Sequence, residues 1–380
     1  MGCVYQQNCG GCCFRDKTQE EYRSLKEQKV KGILSAGLKE QDYKWNKPIF
    51  LPDGTRRRAA LAFMQTKGGL LLGFNENKSS QIADCAQCLM LTPKINAILP
   101  SLRRFLAEFC AIKVSRKLKG KKVVVSSVTK GDVLILEADN GLDIVLEADC
   151  ELALDYRMAI FDYVNNEPDI IRFSFRRKAE EQAEPVIEKL KPVVKIAGFD
   201  IYIAAGTFLQ ASAAGQDALI SLVLKYIGDT GGKIADLFCG IGTFSYPLAA
   251  NKENKIMAAD LSEPLLAGFQ ASLNAHLLHN VKIEKRNLFK YPFTADELKE
   301  FNAVVFDPPR AGAAAQAAEL AKMEQSDKPA IVVAVSCNPH SFVNDANVLV
   351  SGGYKLKEVT MVDQFVYSNH AELAALFTKK

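Results

Sequence analysis

The stretch Asp236-Leu-Phe-Cys-Gly240-Ile-Gly242-Thr-Phe244 decides the fold. The apolar run Lys233–Phe238 reads as a strand, and it ends at two glycines one residue apart that lead into a helical pattern. Glycines at such a turn let the backbone approach a ligand closely. Outward from this point, strands are predicted at Lys255–Asp260, Val281–Lys285, Ala303–Phe306 and Ala330–Val335, with helical segments between most of them. That alternation implies an α/β fold with a parallel sheet flanked by helices, whose ligands bind at the carboxyl ends of the strands.

The residues that carry chemistry fall at those ends. Asp260 closes the second strand 18 residues after Gly242, where a carboxylate can bind both hydroxyls of a ribose. Asn287 follows the third strand and Asp307 the fourth, positions suited to an adenine and to a methionine moiety. Asp236 precedes the glycines, and Ser245 stands where a dinucleotide site would carry its third glycine, which is unnecessary without a pyrophosphate to cradle. Together these features select S-adenosylmethionine over NAD and predict a Rossmann-like class I methyltransferase domain, with Gly240 and Gly242 at the cofactor turn.

The fourth strand runs into Asp307-Pro-Pro-Arg310 and the fifth into Ser336-Cys-Asn-Pro339. Arg310 stands where an amino-methyltransferase would carry an aromatic to stack on its target base. A cysteine on the neighbouring strand end suits carbon methylation instead, because C5 of uracil is a poor nucleophile until a thiolate adds to C6. Cys337 is therefore the expected nucleophile, with Cys239, inside the glycine turn, as its rival. The C5 proton must then be removed by a base. His370 and Glu372, next to the apolar strand Leu373–Phe377, are both candidates.

The first half reads differently. Short apolar runs at Lys122–Val128, Val133–Glu137, Leu142–Leu146 and Ile170–Phe175 predict an antiparallel sheet, with helices at Glu20–Leu34 and Lys94–Ile112. Ala179–Val193, rich in Glu and Lys, reads as a surface element or linker. One boundary near residue 200 would divide an N-terminal α+β region, 1–200, from the methyltransferase domain, 201–380.

Ten cysteines in a chain without a secretory signal argue for metal binding or thiol chemistry rather than a disulfide framework. Cys3-Val-Tyr-Gln-Gln-Asn-Cys9-Gly-Gly-Cys12 reads as a ligand loop. With Cys85 and Cys88 it would make two C-x2-C pairs of zinc-ribbon type, though the 72 residues between the pairs are an unusually long gap. Alternatively, Cys3, Cys9, Cys12 and one distant cysteine would hold an iron–sulfur cluster. Spacing leaves the two open.

With 380 residues, 48% hydrophobic and 24% charged, the composition is that of a globular protein of more than one domain, and the absence of a long apolar run excludes a helical membrane protein. A cytoplasmic location is expected, with no obligate protein partner. The net charge of +4 neither demands nor excludes a polyanion. Arg56–Arg58, Lys117–Lys122 and Arg172–Lys178 are basic stretches, the last interleaved with phenylalanine as RNA surfaces often are.

Taken together, Cys3-x5-Cys9-Gly-Gly-Cys12, Cys88, Phe208-Leu-Gln210, Asp236–Gly242, Asp307-Pro-Pro-Arg-Ala-Gly312, Ser336–Pro339 and His370-Ala-Glu372 resemble the RNA 5-methyluridine methyltransferases over nearly the whole chain. The resemblance implies that Cys337 is the nucleophile and Glu372 the general base. It implies that Gln210, Phe238, Thr243, Asp260, Asn287 and Asp307 line the cofactor site. It also implies a 4Fe-4S cluster on Cys3, Cys9, Cys12 and, of the two later cysteines, Cys88, because Leu89–Pro93 resemble the residues that come after the family ligand. Thr243 in place of the common Asn, and Val366-Tyr-Ser368 in place of Pro-His-Thr, are departures from the pattern.

A cluster motif starting at residue 3 leaves no room for the N-terminal barrel of several ribosomal-RNA members, so the chain most resembles the type that methylates uridine 747 of 23S rRNA. Another large-subunit uridine (the 1939 type), the tRNA T-loop uridine 54, or a non-catalytic RNA-binding protein with a degenerate methyltransferase domain are the alternatives. In each case the partner is structured RNA.

Overall fold

The computed structural model describes residues 2–39, 42–77, 79–117, 123–179, 181–229 and 231–380. The glycine-turn strand, Gly232–Leu237, lies inside a sheet ordered Tyr354–Asp363, Glu372–Lys379, Ile331–Ser336, Ala303–Phe306, Gly232–Leu237, Asn254–Asp260, Val281–Lys285. The five expected strands are all present, and they run parallel to one another. Ala303–Phe306 is buried throughout, as a strand covered on both faces must be. Strand order reverses between Gly232–Leu237 and its neighbour Ala303–Phe306, which opens a crevice at their carboxyl ends.

Two features of this sheet go beyond the expectation of parallel strands. Glu372–Lys379 enters antiparallel between Ile331–Ser336 and Tyr354–Asp363. The short strands Lys44–Trp45 and Ile49–Phe50 then pair in parallel with Tyr354–Asp363. Residues 17–52 thus belong to the unit that holds this sheet, together with 195–202 and 210–380, whereas 2–16, 53–194 and 203–209 form the other unit. In place of the single boundary expected at residue 200, the chain crosses between units after residues 16, 52, 194, 202 and 209.

The reason residues 17–52 join the sheet is visible on the helix Gln19–Gly37. Thr18 and Glu21 close a capping box at its start, and Tyr22, Lys26, Val30 and Leu34 recur every four residues as one buried stripe. A lysine in such a stripe needs a counter-charge. Lys26 finds it in Asp363, at the end of a sheet strand, and also donates to the Phe365 carbonyl at 2.8 Å. The Tyr22 hydroxyl donates to the same carboxylate, and burial beside that charge raises the Tyr22 pKa.

In the other unit, the strands are ordered Glu184–Glu188, Ile170–Arg176, Gly141–Glu147, Lys130–Ala138, Arg58–Thr66, Gly69–Asn75, Ile82–Asp84. The helices Pro93–Ala111 and Leu154–Asn166 contribute Phe105, Phe109, Tyr156 and Tyr163 to its core. The expectation of a single antiparallel sheet fails at two points: Val123–Ser126, within the expected strand Lys122–Val128, pairs instead with Val114–Lys117 in a separate two-stranded sheet, and Ile170–Arg176 runs parallel to Gly141–Glu147 because the helix Leu154–Asn166 carries the chain back between them. Within Ala179–Val193, read as a surface element or linker, Glu184–Glu188 is a surface edge strand, a position that tolerates Pro185.

Removing the Lys26 ammonium would leave the buried Asp363 carboxylate without its cation. Lys26→Met is expected to cost about 3–5 kcal/mol of stability, with Lys26→Met/Asp363→Leu less destabilised than Lys26→Met alone, as read by urea denaturation.

Candidate active site

The glycine turn is built for a ligand. Phe238, Gly240 and Gly242 all have positive φ, at 60°, 56° and 87°. A Cβ at Gly240 would meet nothing within 4 Å, so this turn offers an open floor, whereas one at Gly242 would lie 2.4 Å from the Phe269 ring. Asp260 holds the turn, accepting from the Gly240 N–H at 3.0 Å and from the Ser262 N–H at 2.9 Å. Phe238 and the exposed Phe289 ring lie 5.3 Å apart, with exposed Leu261 next to Asp260, giving apolar surface for a purine. Thr243 is half-buried in the turn.

Two residues of this rim face inward. Asp236 is fully buried and accepts from Ser245 Oγ at 2.6 Å, so it anchors the helix start, and burial pushes its pKa up to about 7. Asn287 turns its carbonyl oxygen back onto the N–H groups of Phe289 and Lys290, at 3.1 and 3.3 Å, and only its amide group is left to meet a ligand.

Cys337 follows Ser336, which pairs with Leu373 on the antiparallel strand. That register sets Glu372 beside Cys337 at the same sheet end. Burial pushes the Cys337 thiol up to about 11, with the Glu372 and Asp307 charges adding and Arg310 opposing. Glu372 is 2% exposed, and burial, with Asp307 nearby, raises it to about 8. Its Oε1 is buried with no hydrogen-bond partner. The other oxygen joins a chain of side chains: Gln364 Nε2 donates to Glu372 Oε2 at 2.7 Å and to Gln210 Oε1 at 2.6 Å, and Gln210 Nε2 donates to Asp307 Oδ2 at 2.9 Å. Burial lifts Asp307 to about 7.

Gln364 was not among the residues singled out from sequence. No motif marks it, and its role exists only because the hairpin folds it between two sequence-distant residues. The two rivals fare differently. Cys239 is buried behind the glycine turn, with its thiol raised well above the ordinary range, and cannot serve as an accessible nucleophile. His370 is exposed, with the Arg310 guanidinium against its ring.

In the other unit, Cys12 lies within electrostatic reach of Cys88, Cys9 and Cys3, while Cys85 is buried, hydrogen-bonded to the Cys9 sulfur and to the Ala83 carbonyl. Asn96 fixes the Cys88 backbone from both sides, accepting from its N–H at 2.8 Å and donating to its carbonyl at 2.9 Å. The sulfurs gather, yet among the described residues no group of three or more Cys, His, Asp or Glu side chains is close enough to hold a metal ion.

The basic stretches also resolve. Arg172 is buried in a two-pronged ion pair with Asp143 and Arg176 pairs with Glu147, so these two are structural, whereas Arg177, paired with Asp149, and Lys178 are exposed. Arg57 is buried, and the Arg58 guanidinium lies 4.5 Å from the ring centre of exposed Phe208. Residues 118–122 lie outside the described residues. Among the described residues no helix is long and apolar enough to cross a membrane.

The family model of the tRNA (Uracil-5-)-methyltransferases matches residues 52–380. The chain belongs to this family. An uncharacterized RNA methyltransferase of Brucella melitensis is 35% identical over 99% of this chain and 84% of its own length. The 23S rRNA (uracil(1939)-C(5))-methyltransferase RlmD of Erwinia tasmaniensis is 28% identical over 100% of this chain and 82% of its own. The crystal structure of Pyrococcus abyssi tRNA (uracil-54, C5)-methyltransferase, in complex with S-adenosyl-L-homocysteine, superposes with a TM-score of 0.73 at 22% identity, covering 97% of this chain and 86% of that one. The likeness establishes the class I methyltransferase fold.

A carboxyl whose folded pKa is raised holds its proton where the unfolded chain releases it, so stability falls as pH rises through that interval. For Glu372 the interval runs from the ordinary 4.5 to about 8. Glu372→Gln is therefore expected to be more stable than the parent at pH 8 and equal to it near pH 4, by thermal melting across that range.

Proposed function

We propose that the protein transfers a methyl group from S-adenosylmethionine to C5 of a uridine in structured RNA, with Cys337 as nucleophile and Glu372 as general base. The observation that carries this reading is the neighbouring of Cys337 and a buried carboxylate, one of whose oxygens has no protein partner, at the sheet end that also bears the glycine turn. The cofactor, when bound, supplies the electrophilic methyl carbon. Gly240, Gly242, Phe238 and Thr243 would form its floor, Asp260 would take the ribose hydroxyls and Asn287 the adenine, with Gln210 and Asp307 beyond. The open space over Gly240 fits that assignment.

Cys337 loses its proton to solvent, aided by the Arg310 cation, and its sulfur bonds to uracil C6 while the C5–C6 π electrons move toward C5 and O4. C5 would then bond to the methyl carbon as the S–CH3 bond breaks, its electrons staying on the sulfur of the departing S-adenosylhomocysteine. Glu372 removes the C5 proton, whose bonding electrons restore the C5–C6 double bond and expel the Cys337 thiolate. Glu372 must be ionised for that last step, so its raised pKa sets an activity that climbs with pH toward about 8. C5 and C6 must meet the two reactants on an unstacked ring, which points to a flipped base in a loop or bulge.

Cys337→Ala is expected to abolish both methyl transfer and covalent attachment, whereas Glu372→Gln traps a methylated protein–RNA adduct, seen with radiolabelled cofactor on denaturing gels. Turnover by Glu372→Gln at the parent rate, or an adduct with Cys337→Ala, would overturn these roles.

We assign the target to 23S rRNA. The cysteine motif resembles the uridine-747 type, and the similarity to RlmD favours uridine 1939 as a second reading. Mass-spectrometric mapping of 5-methyluridine in RNA from cells with and without the gene separates the two, and loss from tRNA alone would refute both.

We propose a 4Fe-4S cluster on Cys3, Cys9, Cys12 and Cys88, the set that the family resemblance implies, since thiolates are the donors such a cluster takes; the four would have to draw closer than they stand in this structure. Cys85 is buried, hydrogen-bonded to the Cys9 sulfur and the Ala83 carbonyl, and is not a ligand in this reading. The cluster would brace the RNA-binding unit, as the methyl transfer needs no electron. Protein purified anaerobically is expected to be brown and to contain iron; zinc without iron on metal analysis would reject the cluster.

A further inference from the structure

We infer that Gln364 is a positioning residue that orients Glu372 for removal of the C5 proton and ties it to the Gln210–Asp307 pair. The inference rests on the uridine reading above. The geometry leaves the Gln364 amide one orientation. Its Oε1 accepts from the Ala211 N–H at 3.1 Å, so Nε2 must face the other way, where its two hydrogens meet Glu372 Oε2 and Gln210 Oε1. Gln210 is oriented in turn, because an oxygen facing Gln364 leaves its own Nε2 for Asp307. Flipping either amide would set donors against donors and acceptors against acceptors along the whole chain.

The scaffold around Gln364 is equally determined. Asp363, one residue before it, is pinned by Lys26 and Tyr22. On its other side the helix Ala213–Ile227 approaches through Gly215, where a Cβ would lie 2.9 Å from Gln364 Cβ. The approach requires glycine. Gln364 is thus held by its own strand end, by a backbone amide and by a close-packed helix, and it directs one Glu372 oxygen so that the unpartnered Oε1 is the one left for substrate.

The bond has an electrostatic consequence. The titratable groups facing Glu372 are Asp307, whose charge opposes its ionisation, and the Cys337 thiol, which is uncharged where Glu372 titrates; the Gln364 amide is the hydrogen bond that favours the charged form. Losing that donor makes the base protonated over a wider pH range.

The test uses the full-length protein with Gln364→Met, which keeps side-chain length and removes both donors, on two in vitro transcripts of 23S rRNA. One contains uridine and the other 5-fluorouridine, whose C5 has no proton to remove, so it arrests the reaction after methyl transfer. With the fluorinated transcript the variant is expected to form the covalent adduct at the parent rate, which also shows that it is folded and binds both substrates. With the uridine transcript its turnover is expected to drop about tenfold or more at pH 7 and to recover as the pH is raised, because each unit of upward shift in the base removes a factor of ten in its ionised fraction. Equal slowing on both transcripts, or a pH profile superimposable on the parent's, would overturn the inference. A parent enzyme that forms no fluorouridine adduct would overturn the uridine reading and this inference with it; a parent that does, matched by Gln364→Met in turnover, overturns the inference alone.

Discussion

The antiparallel entry of Glu372–Lys379 between two strands of an otherwise parallel sheet is the constraint on which the site depends. A parallel sheet gathers its strand carboxyl ends on one rim, so only a strand running the other way can begin there. That reversal brings the first residue of the strand, Glu372, to the end of Ile331–Ser336, next to Cys337. Pairing of Ser336 with Leu373 sets the register, and a slip of one residue would turn Glu372 to the opposite face of the sheet.

Placing a carboxylate there has an electrostatic cost, because Asp236, Asp307 and Glu372 are all desolvated at the same sheet end and all have raised pKa values. The molecule answers with hydrogen-bond donors rather than buried cations. Ser245 serves Asp236, Gln210 serves Asp307, and Gln364 serves Glu372. Neutral donors stabilise the charged forms without making them permanent, which suits the proton uptake and release proposed for Glu372. The full counter-charge appears next to Gln364, at Asp363, where Lys26 holds the hairpin that carries Glu372.

The same hairpin explains the use made of the N-terminal segment. Tyr354–Asp363 would be an edge strand, and Lys44–Trp45 with Ile49–Phe50 cover that edge. The helix before them supplies the cation for Asp363. Residues 17–52 are therefore working parts of the catalytic unit, although residues 53–194 of the other unit separate them from the rest of it in the chain.

Much of this was legible in the sequence because it is local. A strand running into Gly-x-Gly, an acid at the next strand end, and cysteine or Asp-Pro-Pro at later ones are short-range patterns, and the five parallel strands, the cofactor turn and the candidacy of Cys337 are read from them. The reading failed where pairing partners are distant. The parallel pairing of Ile170–Arg176, the separate pairing of Val123–Ser126 and the return of residues 17–52 are matters of which segments meet, which side-chain periodicity does not encode. The basic stretch at 172–178 carried charge in the sequence, but only the fold shows that Arg172 faces a buried Asp143 and not solvent. For the site, the sequence by itself determined the chemical groups on hand: two rival thiols, Cys337 and Cys239, one glycine turn and a set of carboxylates. Tertiary structure alone decided which carboxylate stands beside the thiol, which cysteine is sealed in the core, and that Gln364 joins Glu372 to Gln210, because hydrogen bonds between residues 154 positions apart arise only once the sheet has closed.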